Sequence, residues 1–242
     1  MIELDCRDIR EFAINAYGQV DDKVYGGGTG MLMLAEPILK AWLSLFVDDP
    51  QFFLKKHEGG HSKAEWQTLI RSVSQTRTIY LSPKGRVFNQ SLARELAEED
   101  ELVFICGHYE GVDQRVLDVL DVEEVSLGDF VLTGGEIAVV TMIDAISRLV
   151  PGVLPNAEAY TRESHTSHYL EEPQYSRPSD WRGLKVPEVL LSGHQSKIDA
   201  FRQSQRIEET LAKRPDIMDP ASLSEEDWLN FIDYLTEQVG EE

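Results

Sequence analysis

Three apolar runs, each cut off by glycine or proline, set the rhythm of the middle of the chain: TIYLSPKG at 78–85, LVFICGHYEG at 102–111 and VSLGDFVLTGG at 125–135. A β-branched or apolar run that stops in this way reads as a buried parallel strand meeting its loop. Between and after them the spacing turns helical, over 90–97, 112–120 and 136–150. That order of strand, loop and helix predicts an α/β domain with a parallel sheet and helices on its faces. Ligands of open α/β sheets bind outside the carboxyl ends of the strands, so the three loops are expected to converge on one pocket. Three ordinary turns are the competing reading. The helix at 137–149 is apolar nearly all round and is expected to be buried in the domain or against a second subunit.

The flanks are less regular. Residues 2–6 read as a short strand, and 35–46 as a helix with Ile38, Leu39, Trp42, Leu45 and Phe46 on one buried face. Between them the run YGGGTGM at 25–31 permits close backbone approach. No Gly-Lys-Ser/Thr follows it, which excludes a nucleoside-triphosphate loop. Residues 47–77 are polar and charged and yield no assignment. Beyond Pro151-Gly152, the prolines at 155, 173, 178 and 187 predict a linker and irregular structure. Ser196 and Asp199 predict the capping box of a helix that Pro215 ends. Acidic residues at 225–227 suit the start of another, whose stripe Trp228, Leu229, Ile232 and Leu235 is expected to pack on the same small domain.

Charge changes this picture by its distribution. The formal net charge is −20, which argues against a nonspecific polyanion binder. Residues 1–90 are balanced, with 11 basic and 11 acidic side chains; residues 91–150 carry 3 against 14, and the chain from Pro215 carries none against 9. Residues 161–214, with 9 basic and 8 acidic side chains and three histidines, form the only neutral stretch of the second half, so any RNA is expected there. No apolar transmembrane span or signal-peptide pattern is visible, which predicts a cytoplasmic protein. Cys6 and Cys106 are too few for a disulfide framework and lack zinc-site spacing, so no metal is expected.

The segments LSPKGRVFNQ (81–90), CGHYEGVDQR (106–115), SLGDFVLTGGE (126–136), IDAISRLVPGVL (143–154), PQYSRP (173–178) and VPEVLLSGHQSKI (186–198) occur in the order seen in bacterial tRNA (guanine-N1)-methyltransferases, the TrmD family. The chain resembles that family from its first residue to about Pro215. The resemblance implies a SPOUT methyltransferase: an α/β parallel-sheet domain containing a trefoil knot, followed by a small helical C-terminal domain. It implies a knotted domain over 1–154, an interdomain catalytic loop over 155–168 and a helical tRNA-binding domain over 169–242. The family begins with a strand and helix carrying an LFPEMF-like motif, and this chain begins after it.

By the same resemblance, S-adenosyl-L-methionine is held by Leu81, Ser82 and Pro83, by Gly107, His108, Tyr109 and Glu110, and by Leu127, Gly128, Asp129, Phe130, Val131, Leu132, Gly134 and Gly135. Glycine lets main chain approach an adenine without an intervening Cβ. Methylation of guanine N1 needs a base for its proton and a cation for the charge that spreads to O6. The resemblance assigns the cation to Arg148 and the base to Glu163, where the family pattern has aspartate. It places a homodimer at work, with the active site shared between subunits. Asp21, Asp22, Tyr25 and the glycines at 26–28 then lie near the partner's site, while Arg177, Ser192, His194, Arg202, Arg206 and Arg214 approach the tRNA. Two other readings stay open: a related knotted enzyme acting on another RNA position, and a catalytically weak homologue that binds RNA.

Overall fold

The computed structural model describes residues 2–155, 163–218 and 223–240, with the side chains at 230, 233–235 and 237–240 left aside. The chain divides into two compact units, Met1–Val153 and Leu154–Glu242.

The first unit is α/β with a parallel sheet, as the apolar periodicity predicts. Its centre is β3 (Arg77–Val87), flanked by β4 (Leu102–Ile105) and β5 (Glu123–Ser126), both parallel to it. Side chains alternate across a strand. Tyr80 and Ile105 therefore meet one layer, made by α1 (Ala35–Leu43), α3 (Lys63–Val73) and α5 (Gln114–Leu120) through Trp42, Leu43, Ile70, Val116 and Leu120. Ile79, Leu81 and Val125 meet the other, made by α4 (Gln90–Ala97) and α6 (Glu136–Ser147) through Leu92, Leu96, Met142 and Ile146. Covering both faces explains why these strands read as continuous apolar runs. The buried hydroxyl of Thr78 accepts from Trp42 Nε1 at 3.0 Å, which satisfies the indole inside the first layer.

Several sequence expectations need correction. Residues 2–6 form no strand; Ile2 and Leu4 are exposed, and the first element is a single 3-10 turn, Ile9–Phe12. The run at 47–77 holds two helices, α2 (Pro50–Lys56) and α3, started by Asp49 and by a Ser62/Glu65 capping box. The third strand stops at Ser126, because Gly128 at φ 149° turns the chain and the rest of the apolar run leaves the sheet. Helix α6 buries Ala138, Val139, Met142 and Ile146, yet leaves Ile137 and Val140 about two-thirds exposed.

In the second unit a short hairpin, β6 (Asp180–Trp181) and β7 (Leu184–Lys185), precedes α7 (Glu188–Leu191), α8 (Gln195–Lys213) and α9 (Glu225–Gly240). Ser196 does not cap α8: His194 occupies that position without a side-chain cap bond, and Asp199 instead accepts from Gln195 Nε2 at 3.0 Å. The reciprocal box lies at α9, where Asp227 accepts from the backbone and hydroxyl of Ser224 while its own N–H donates to that hydroxyl. The expected stripe of α9 is also not the packed one. Trp228, Leu229 and Ile232 are exposed, whereas Phe231 joins Tyr169, Ile207 and Leu223 in the core; the side chain of Leu235 lies outside the described set.

Candidate active site

The second and third strand-end loops close directly on one another. His108 and Gly134 form an antiparallel bridge, and the N–H of Gly135 donates to the carbonyl of Gly107 at 3.0 Å. This seam requires glycine: a Cβ on Gly135 would stand 2.9 Å from Cys106 Cα, and one on Gly107 would stand 2.9 Å from the Tyr80 ring. Across the seam His108 Nε2 meets Glu136 Oε1 at 2.5 Å, and Gly134 lies between the two side chains, where a Cβ would come within 2.5 Å of Glu136 Oε2.

The first loop is an excursion of β3. Leu81 and Arg86 both pair with Val125, so residues 82–85 leave the ladder while the strand resumes in the same direction. Ser82 is buried and its hydroxyl accepts from the Lys84 N–H at 3.2 Å, which holds the excursion tight around Pro83. Gly85 lies flat on the backbone of Glu124 and Val125, where a Cβ would stand 2.3 Å from Glu124 C.

The third loop is held from inside by Ser126, whose hydroxyl donates to the Gly128 carbonyl at 3.0 Å and accepts the Gly128 N–H at 3.1 Å. Leu127 packs against the layer formed by α4 and α6, whereas Phe130, Val131 and Leu132 point outward, as does Tyr109 on the second loop. Asp129 and Glu110 are both exposed. The structure thus brings the sequence-predicted loop residues into one region of the first unit, with backbone and apolar groups presented together. Burial pushes the thiol of Cys106, beneath the seam, up to about 11, helped by the charge of Glu136. Burial also raises the Tyr80 hydroxyl, with Glu124 adding to the effect and a backbone hydrogen bond from Val112 opposing it.

Sequence reasoning missed how the early glycine run joins this region. β1 (Asp21–Lys23) and β2 (Met31–Met33) form an antiparallel pair, and β2 then zips onto the second loop. Glu110 N–H donates to Met31 O, Met33 N–H to Gly111 O and Asp113 N–H to Met33 O. Gly30, at φ 107°, lies against the Glu110 carboxylate, where a Cβ would stand 2.5 Å from Oε1. The run of glycines around it was the visible signal. Asp21 is partly buried on β1, and Asp22 and Tyr25 are exposed. Gly26, Gly27 and Gly28 all have positive φ.

Arg148 belongs to the first unit and Glu163 to the second. Arg148 is the C-cap of α6, its N–H bonded to Asp144 O at 3.3 Å, and it is partly exposed rather than held inside the helix. Glu163 heads a turn closed by Thr166 N–H on its carbonyl, and the adjacent Ser164 hydroxyl accepts the Glu171 N–H at 2.9 Å. Of the segment 155–168, residues 156–162 lie outside the described residues.

The predicted RNA contacts divide into two kinds. Arg177, Ser192 and His194 are exposed. Arg206 instead donates to Leu170 O at 3.3 Å and to Ser167 Oγ at 3.0 Å and lies over the Tyr169 ring, which ties that segment to α8. Arg202 pairs with Glu172 at 3.5 Å, and Arg214 with Asp216 at 2.7 Å.

Comparison with known proteins gives the family of the chain. The family described as tRNA (Guanine-1)-methyltransferase TrmD matches residues 1–220. A tRNA (guanine-N(1)-)-methyltransferase of Exiguobacterium sibiricum is 46% identical over 226 residues, covering 93% of this chain and 83% of the relative. A protein of the same name from Pediococcus pentosaceus is 44% identical with the same coverage, and one from Lachnoclostridium phytofermentans is 42% identical over 100% of this chain and 88% of its own length. The chain belongs to the TrmD family of tRNA (guanine-1)-methyltransferases.

Proposed function

We propose that the chain uses S-adenosyl-L-methionine to methylate N1 of guanosine 37, 3′ of the anticodon, in tRNA, and that it works as a cytoplasmic homodimer. The observation that carries this reading is the seam of glycine loops, His108 to Gly134 and Gly135 to Gly107, beside the β3 excursion. Its donor set fits the cofactor. Exposed peptide edges suit the polar rim of an adenine, and Phe130, Leu132 and Tyr109 offer apolar surface to its faces. Glu110 and Asp129 are compatible with a cationic sulfonium. When bound there, S-adenosyl-L-methionine supplies an electrophilic methyl group.

The chain's own residues do the rest. Glu163 takes the proton from guanine N1, and the planar guanidinium of Arg148 stabilises the negative charge that spreads to O6. Glutamate is one methylene longer than the family's aspartate, with a similar intrinsic acidity, so the base chemistry is preserved with a longer reach. The same reading gives the first unit the trefoil-knotted SPOUT topology and the second the helical tRNA-binding domain. The outward face of α6 at Ile137 and Val140 supports a partner subunit, which contributes Asp21, Asp22 and Tyr25 next to the opposite site. The target guanine lies in a loop and is swung out of its stack to meet the methyl donor.

The test is methyl transfer from labelled cofactor to tRNA transcripts carrying guanine or adenine at position 37. Transfer confined to the guanine transcript is expected. Equal labelling of both transcripts would move the target elsewhere in the RNA, and no labelling by folded, cofactor-binding protein would leave an RNA-binding homologue.

A further inference from the structure

We propose that the β6–β7 hairpin is a base-stacking platform for RNA. Trp181 offers its indole to an unpaired nucleobase of the substrate, and Arg182 and Lys185 meet the flanking phosphates. This rests on the reading of the chain as a tRNA methyltransferase and adds to it a contact on the second unit.

The hairpin is built to display side chains. Trp181 pairs with Leu184, and the two-residue turn between them, Arg182-Gly183, has φ 58° and 92°. Positive φ at both central residues is the tight turn that matches the twist of a two-stranded ribbon. Asp180 Oδ1 accepts the Gly183 N–H at 2.8 Å, and the Val186 N–H donates to Ser179 O at 2.9 Å, so both ends of the ribbon are fixed. Yet neither large apolar side chain enters the core. Trp181 is 56% exposed and Leu184 68%, and the buried cluster of this unit is made by Tyr169, Ile207, Leu223 and Phe231 instead. Among the described residues the indole joins no core cluster, so the use of the hairpin is read from what it can meet.

Charge decides the class of partner. The Arg182 guanidinium stands 5.4 Å from the Trp181 ring centroid. Over residues 177–185 the cations are Arg177, Arg182 and Lys185, and the one acid, Asp180, has its carboxylate engaged by the turn. Such a flat aromatic surface interleaved with cations, in a chain whose net charge is −20, is the chemistry of single-stranded nucleic acid. A cleft of about 300 Å³ continues from the base of the hairpin. Ser179 and Val186 line it together with Tyr175, Arg177, Gln195 and the Arg202–Glu172 pair, polar groups suited to the ribose that follows a stacked base, with Arg177 toward its phosphate.

Equilibrium binding of a tRNA transcript to Trp181→Ala, Trp181→Leu and Trp181→Phe tests this, with calorimetric cofactor binding as the control for folding. Loss of one base–aromatic stack is expected to weaken tRNA binding roughly 10-fold in the Ala and Leu variants, and Phe is expected to restore most of it. KM for tRNA should rise in parallel, while kcat at saturating tRNA stays near that of the wild type. Wild-type affinity in Trp181→Leu overturns stacking, because leucine keeps the apolar bulk and lacks the π face. If Trp181→Ala misfolds, the comparison of Leu with Phe decides. Wild-type protein that binds no tRNA overturns the functional reading together with this one. Wild-type protein that methylates tRNA while all three variants bind normally overturns the platform alone.

Discussion

At the scale of single residues, the proposed chemistry rests on Glu163 and the proposed binding on Gly134. Glu163→Gln removes the base and keeps the shape, so single-turnover methyl transfer should fall roughly 10²- to 10⁴-fold with tRNA and cofactor affinity retained. Glu163→Asp returns the family's residue and should keep substantial activity. Wild-type speed in the Gln variant would pass the role to another carboxylate, with Glu171 the nearest candidate, since its N–H is bonded to Ser164. Gly134 fails for a different reason. A side chain there would drive into Glu136 and His108, whose atoms stand 2.5 and 2.6 Å from the position of a Cβ. Gly134→Val is therefore expected to push the His108–Glu136 pair off the seam and abolish the calorimetric signal of cofactor binding, while circular dichroism stays native. Unchanged heat would show that the seam does not form the cofactor site.

At the scale of elements, the Arg77 network ties β3 to its neighbours at the end of the strand remote from the loops. Arg77 reaches Glu95 of α4 at 2.7 Å and Glu123 of β5 at 2.5 Å. Partial burial works to lower the guanidinium's pKa, but hydrogen bonds to Glu123 and Glu95 outweigh it and hold the value above the ordinary one. The hydrogen bond from Arg77 in turn holds the Glu95 carboxyl below the usual carboxylate range. A depressed carboxylate contributes stability that is complete above its unfolded pKa, about 4.3, and is lost as pH falls through the lower folded value. Arg77→Met should thus be less stable than the wild type near pH 7, and the gap should narrow as pH drops below about 4.3. Denaturant titrations at pH 7 and pH 3 check it; a gap that does not narrow would remove the network from the acid response. Elements such as β3 were legible because both faces of the strand are buried, which leaves one uninterrupted apolar run. Residues 47–77 were not, although the Ser62-to-Glu65 box stood in plain sequence, because α2 and α3 are short and polar enough to mask their period. The α8 cap was misread because Ser196 and Asp199 have capping spacing but both lie inside the helix, and spacing alone does not say where the helix starts. In the candidate site the glycines announced the loops, while the His108–Glu136 contact and the seat of Glu110 on Gly30 join residues far apart in sequence and left no local signal.

At the scale of the whole molecule, the outward face of α6 bears on the proposed dimer. The helix buries the face bearing Ala138, Val139, Met142 and Ile146, and its outward face holds Ile137 and Val140 exposed beside Thr141 and Asp144. The protein is expected to sediment as a dimer, and Val140→Glu to shift it toward monomer by placing a charge on the outward face. A wild-type monomer at micromolar concentration would count against the shared site. The β3 excursion carries a consequence of another kind. Because the strand pairs with Val125 both before and after residues 82–85, the ladder on either side is anchored independently of what the loop does. On the proposed reading, the loop meets the cofactor while the ladder on either side of it stays still. Hydrogen–deuterium exchange should therefore separate the two: addition of S-adenosyl-L-methionine should slow exchange at Lys84 and Gly85, while Ile79, Tyr80 and Leu81 keep the rates they had without it. Protection spreading along the whole strand would mean that loop and sheet breathe as one body, and that the doubled pairing insulates nothing.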